Sequence, residues 1–442
     1  MALAGTAPAD SVPAGTTRRA VRTWDALSAT AVALTGLFAG VLFSRRSLDS
    51  YDAQIMYAVG RSIATTHTTV VPAAADAFHR NTPHSSYGLG QSLLEAPAYL
   101  LATHTGHDPQ TFAMLVNPVL FGAIALVVWA WARTAGARPV QAAVVALASG
   151  FGTLLLAYTP TGGSELGTAL GIAVAILGVE VASRRPVVGS VVAGAGVGVA
   201  VLWRPDSVFL VAVPVAIAAL IRSRRAFPLF LLATAPVAVA TVLYFGLQGA
   251  RYQGVTPGQG FSHPLGSGLY GLLLSPGRGL LLYVPLVLPA LAAVPWAWRR
   301  SALVTGLCLA LLVIRVVFYA RWFSWQGAWA WGPRFLVPAM PALAPLLLEI
   351  VRRLKWRRWP LAAAAAAVLL ISTSVQVLGA AVRYDTDTAN LTMTAVWRSD
   401  WDSTPQDRVL FDWRYFPIRE HLAEVRAGRN LAPGYRGPVG PS

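Results

Sequence analysis

The chain has 442 residues, of which 55% are hydrophobic and 12% charged, with 35 Lys and Arg against 19 Asp and Glu. Apolar runs of about 17 to 23 residues recur along it, which excludes a water-soluble core and describes an all-α polytopic membrane protein. The formal charge of +16 does not mark a nucleic-acid binder, because the basic residues occupy short gaps between apolar runs, where orientation in the bilayer accounts for them.

Residues 1–17 are small and polar with no apolar period, and read as a disordered cytoplasmic tail. Apolar runs near 24–43, 112–132, 139–158, 165–182, 187–203, 207–221, 227–247, 279–298, 302–320, 335–351 and 360–382 then predict eleven spans. Arginine clusters punctuate them at Arg133/Arg138, Arg184/Arg185, Arg222/Arg224/Arg225, Arg299/Arg300 and Arg352 to Arg358. The excess of positive charge in cytoplasmic loops places every one of these clusters inside. Residues 18–382 therefore form the transmembrane domain, with a cytoplasmic N-terminus, and residues 383–442 an extracytoplasmic tail rich in carboxylates. Lys355 is the only lysine among many arginines, which suggests a GC-rich, actinobacteria-like genome and the bacterial cytoplasmic membrane. Cys308 stands alone inside an apolar run, so neither an intramolecular disulfide nor a thiolate metal cluster can form.

The first outer loop, 44–111, carries two interfacial helices. Ile55, Val59 and Ile63 recur every four residues near 52–64, the pattern of a helix lying in the bilayer surface. Near 88–103, Leu89, Leu93, Leu100 and Leu101 give a second apolar face. Gly88, Gly90, Glu95 and Pro97 argue that this segment lies on the surface. Were it to cross, every later arginine cluster would face outward.

Candidate functional residues gather on the outer side. Asp49 and Asp52 follow the first span, where a carboxylate can take a proton from a substrate hydroxyl; the competing reading makes Asp52 a helix cap. Tyr87 and Gln91 belong to the Tyr87-Gly-Leu-Gly-Gln-Ser run, Arg278 to Ser275-Pro-Gly-Arg-Gly, and Trp331 and Arg334 to Trp331-Gly-Pro-Arg, each at the outer edge of an apolar segment. Arg204, Arg278, Arg315 and Arg334 place positive charge where it is disfavoured, which asks for an anionic partner; the competing role for each is anchorage to bulk lipid phosphates. Glu165 opens the fourth span after Thr-Gly-Gly-Ser, where the helix dipole alone would favour a carboxylate. The four tryptophans between Arg321 and Trp331 suit either an interfacial belt or a sugar-stacking surface. His104, His107 and Asp108 are too few to define a metal site. No cofactor is indicated, and a divalent cation stays open. The chain carries no Walker A, GxSxG, HExxH or dinucleotide fingerprint in suitable context.

In Asp49-Ser-Tyr-Asp52-Ala-Gln-Ile-Met-Tyr-Ala-Val-Gly-Arg-Ser, Tyr87-Gly-Leu-Gly-Gln-Ser-Leu-Leu, Ser275-Pro-Gly-Arg-Gly and Trp331-Gly-Pro-Arg, the chain resembles the GT-C superfamily of integral-membrane glycosyltransferases, nearest its protein-mannosyltransferase-like branch, over residues 20–382. The resemblance implies a polyprenyl-phosphate sugar donor, inverting transfer to a glycan, lipid or protein acceptor on the outer face, and Asp52 as general base. It also departs from the family, since Ala53 stands where many relatives carry a second acidic residue and leaves Asp49 as the nearby carboxylate. The alternative from another class is a transporter or flippase of a lipid-linked or anionic envelope precursor, which the outer arginines would serve equally well. Few charges lie between the span ends to support transport.

Overall fold

The computed structural model describes residues 18–45, 47–48, 50–71, 84–247, 260–354, 359–384, 386–398 and 404–431. Asp49 and the 1–17 tail lie outside them. Apart from two isolated bridges, Val70 with His84 and Val382 with Leu431, the described residues are helices, turns and loops.

By length and composition seven described helices can cross a membrane: Thr23–Phe43, Pro109–Thr134, Pro186–Trp203, Phe227–Gly246, Ala302–Ala320, Arg334–Arg353 and Pro360–Ala381. An eighth arises if Pro139–Phe151 and Leu154–Thr161, bent by 51°, count as one broken span. The eleven uniform spans of the sequence reading are therefore not all present as such, and proline explains much of the difference. The expected span at 279–298 is divided into Leu280–Tyr283, Val287–Ala292 and Val294–Arg300, with Pro285, Pro289 and Pro295 each withholding a backbone N–H. Pro338 and Pro341 fall in the 3-10 stretch Arg334–Leu343, which continues as the α-helix Ala344–Arg353. Glu165–Val181 is apolar and helical over 17 residues, and the 207–221 segment opens on a π-helical turn, Val208–Ala212, before Val213–Arg222.

The core runs through the interior of the bundle, and it is close-packed where small residues face each other. Glu165–Val181 lies against Pro186–Trp203. At their contact a Cβ on Gly171 would stand 2.5 Å from the Ala200 nitrogen, so only glycine permits this approach. Outward-facing side chains such as Phe38, Leu232 and Val242 are more than 60% exposed, as a lipid-facing surface requires.

The two expected surface helices are present as Tyr51–Thr66 and Gly90–His104, packed against each other. In the first, Ser50 accepts from the Ala53 N–H as N-cap, and Ile55, Met56 and Val59 are buried. The second is amphipathic in reverse of a soluble helix. Gln91, Ser92 and Glu95 point inward, while Leu93, Leu94, Leu100 and Leu101 are exposed, which suits a helix whose outer face meets lipid.

The segment after Val382 folds back over the loop ends. Asp407 accepts from the Ser267 hydroxyl at 2.6 Å and from the Trp325 indole N–H at 3.0 Å, and lies 3.1 Å from His263 Nε2. Leu410 is buried, and its carbonyl accepts from the Gly277 N–H. Burial pushes the His421 imidazole down to about 3, so the neutral ring packs 4.3 Å from the Trp331 indole.

Candidate active site

Helix starts and turns from distant parts of the chain converge at one end of the bundle. Asp52 lies in the first turn of Tyr51–Thr66, and Glu165 begins Glu165–Val181. The turn before Glu165 is held by Asn117, whose buried amide donates to the carbonyls of Tyr158 and Gly163. Arg334 opens the 3-10 stretch that starts the Arg334–Arg353 span, and Arg204 follows Trp203 in the short loop before Val208.

Arg334 bridges two carboxylates: its Nη2 donates to Asp52 Oδ2 at 2.5 Å and its Nε to Glu165 Oε1 at 2.6 Å. Arg204 reaches the same Glu165 oxygen at 3.8 Å and pairs with Asp206 at 3.1 Å. The Tyr319 hydroxyl receives from Arg204 at 2.7 Å and donates to Asp206. Arg315, fully buried, donates to the Phe335 carbonyl at 3.4 Å, and its Nε and Nη2 have no hydrogen-bond partner. Its charge also acts on Asp206. Asp52, Arg334, Glu165, Arg204, Asp206 and Arg315 thus alternate in sign, and the six formal charges cancel.

Two local devices set the carboxylate. The Tyr87 hydroxyl donates to Asp52 Oδ1 at 2.6 Å. Gly90 allows the Tyr87 turn to sit against Trp203, since a Cβ there would stand 2.2 Å from the indole ring. Gln91 ties the same elements together by accepting from the Trp203 indole at 3.3 Å and donating to Glu95 at 3.0 Å. Burial raises the Asp52 carboxyl, but the Arg334 charge, hydrogen bonds from Tyr87 and Arg334, and the Arg204 charge outweigh it and hold the group below the ordinary aspartate range. Glu95, buried with Gln91 as its donor, is pushed well above the usual carboxylate range by that burial.

Beside this row opens a cleft of about 520 Å³, counting the open solvent at its mouth. Arg334, Glu165, Tyr158, Arg45, Arg383 and Tyr384 are among its lining residues. Asp52 meets it through Arg334. The structure therefore brings together Asp52, Tyr87, Glu165, Arg204, Arg315 and Arg334 from the sequence expectations. It gives the others different places. Arg278 is not among the residues lining the cleft and is buried with its donors committed to backbone: Nε to Gln326, Nη1 to Gly277 and Nη2 to Ala328, each at 2.9 to 3.0 Å. Trp331 is wholly buried between Tyr283, His421 and Gly379, and Gln91 is buried on the inner face of the Gly90–His104 helix against Trp203. Arg45, Asp206, Tyr319, Arg383 and Tyr384 were not expected from the sequence. Asp206, two residues from Arg204, is the one for which an opposite charge at close spacing offered a signal. Among the described residues no group of three or more His, Cys, Asp or Glu side chains is arranged to hold a metal ion; Asp108 instead caps the Pro109 helix through Thr111.

No family model matches the chain, and no curated protein matches it. Solved structures do. The ArnT protein of Cupriavidus metallidurans, bound to undecaprenyl phosphate, is 17% identical with a TM-score of 0.52 over 92% of this chain and 79% of its own. The Archaeoglobus fulgidus oligosaccharyltransferase in its apo form is 10% identical with a TM-score of 0.50 over 92% of this chain and 64% of its own length. Both are GT-C membrane glycosyltransferases. With several helices long and apolar enough to span a membrane and a pair of shorter helices after the first of them, the chain has the GT-C fold of these structures.

Proposed function

We propose that the chain is a membrane glycosyltransferase that moves a sugar from a polyprenyl-phosphate donor to a hydroxyl acceptor at the cleft beside Asp52. The observation that carries this reading is the Asp52–Arg334–Glu165 bridge, an acid and a cation in direct contact at the wall of a cleft. Likeness in fold to a structure solved with undecaprenyl phosphate supports it. The six charges of the row cancel, so a donor phosphate reaches Arg334 by exchange, drawing it away from Asp52 with Arg204 beside it, in a cleft that Arg45 and Arg383 also line. Losing the guanidinium raises the proton affinity of Asp52 at the moment an acceptor hydroxyl must be deprotonated. The acceptor oxygen then forms a bond to the anomeric carbon as the bond from that carbon to the phosphate oxygen breaks. The proton goes to Asp52, and the charge developing on the leaving phosphate is met by Arg334 and Arg204. Attack opposite the leaving group inverts the anomeric centre. In this reading the catalytic end faces the extracytoplasmic side of a bacterial cytoplasmic membrane, because the arginine clusters cap the opposite helix ends.

The test is Asp52→Asn in purified protein supplied with a panel of polyprenyl-phosphate sugars. Loss of about 10²- to 10⁴-fold in transfer is expected for a general base, with unchanged expression and melting. Transfer at the wild-type rate would remove Asp52 from this role.

A further inference from the structure

A second cavity, of about 680 Å³ counting the open solvent at its mouth, lies at the other end of the bundle. Glu165 and Glu180 sit on one helix fifteen residues apart, so the two sites are separated by ~22 Å. Glu180, Arg222, Arg300, Arg352 and Trp131 line the second cavity, with the hydroxyls of Ser183, Ser301 and Thr305. Its charges are not used alike. Arg352 is committed, donating to Glu349 at 2.7 Å and to the Ala135 carbonyl at 2.8 Å. Arg300 approaches Glu349 only at 3.7 Å and is half exposed. Arg222 and Glu180, in contrast, make no ion pair within 4 Å among the described residues, although the Arg222 charge acts on Glu180 across the cavity, and the Arg222 Nε lacks a partner. The Trp131 indole N–H, on a side chain 4% exposed, lacks one too. Buried donors without partners are costly, and here they share one cavity.

We propose that this cavity binds a phosphoethanolamine group, carried by a phospholipid or free in solution. A purely anionic ligand would face the Glu180 carboxylate, and a purely cationic one the Arg222 guanidinium. A zwitterion satisfies both: its phosphate oxygens accept from Arg222 and the Trp131 N–H, and its primary ammonium donates to Glu180 and the nearby hydroxyls. Basic pockets between membrane helices hold the phosphates of lipid headgroups, and here Glu180 adds an acceptor for an ammonium beside them. The helix leading to Arg300 carries Trp296 and Trp298, 40% and 49% exposed, as in an aromatic belt at headgroup depth. The site shares no residue with the cleft at Asp52, so it stands or falls separately from the proposed transfer.

The experiment places the full chain in nanodiscs of equal parts phosphatidylethanolamine, phosphatidylglycerol and phosphatidylcholine, and weighs the retained lipids by native mass spectrometry. A parallel calorimetric arm in detergent uses soluble O-phosphoethanolamine. Retention of phosphatidylethanolamine above both other lipids is expected. Arg222→Gln should cut that retention by about tenfold, while Arg222→Lys keeps it and controls for folding. Glu180→Gln should keep lipid but erase the preference over phosphatidylglycerol. Binding in the calorimetric arm without lipid retention assigns the site to the free compound. No binding in either arm, equal retention of phosphatidylglycerol by the wild type, or full retention in Arg222→Gln overturns the proposal.

Discussion

Tyr87→Phe removes one oxygen and tests how Asp52 is tuned. In the wild type the Tyr87 hydroxyl donates to Asp52 Oδ1 at 2.6 Å while Arg334 holds Oδ2. A hydrogen bond to a charged group contributes about 1.5 to 3 kcal/mol. At about 1.4 kcal/mol per pKa unit, its loss lifts the Asp52 carboxyl by about one to two units. Tyr87 is half-buried, so the lower end applies. The sign follows from the direction of the resting shift: the group lies below its ordinary value, and losing a donor to its charged form raises it. A base works only when deprotonated, so the acid limb of the kcat/KM profile for sugar transfer moves up by about one unit, while the plateau at higher pH changes little. The assay is transfer from a polyprenyl-phosphate sugar at closely spaced pH values for both proteins. An acid limb that stays in place, with an even loss of rate at every pH, would refute the assignment of Asp52 as the titrating base.

Arg334→Lys keeps the charge but offers no fork to span Asp52 and Glu165 together. One charge-assisted hydrogen bond is lost, and kcat/KM should fall by about 100-fold, measured in the same transfer assay. Gly90→Ala places a Cβ 2.2 Å from the Trp203 ring. The resulting strain of about 1 to 3 kcal/mol should lower the melting temperature in detergent, with transfer falling alongside. Arg278→Ala leaves the carbonyls of Gln326, Gly277 and Ala328 without their donor, so limited trypsin digestion should cut faster after Arg321 in the loop that Arg278 fastens.

The surface helices were readable to within two residues, 52–64 against Tyr51–Thr66 and 88–103 against Gly90–His104, because their apolar spacing and flanking polar residues are local. The spans were readable as apolar runs but not as helices. Pro285, Pro289 and Pro295 divide one of them, and hydropathy averages over such breaks. At the site, placing Asp52, Tyr87, Glu165, Arg204 and Arg334 on the same side followed from span parity. Which carboxylate each arginine takes is a three-dimensional matter that no spacing encodes. Arg278 illustrates the limit: its motif resembles that of Arg334, yet its donors close on three backbone carbonyls while those of Arg334 join two acids. Asp206 escaped notice because a three-residue gap between spans reads as a bare connection.

Asp52 and Arg334 are mounted on different supports. The aspartate rides on a short helix whose partner turns an exposed leucine face away from the bundle, whereas the arginine opens a segment long and apolar enough to cross a membrane. Thickening or thinning the lipid around the protein shifts the helix pair relative to that segment. In the proposed topology, the gap between the two side chains, and with it the ease of parting them, would follow the thickness of the membrane.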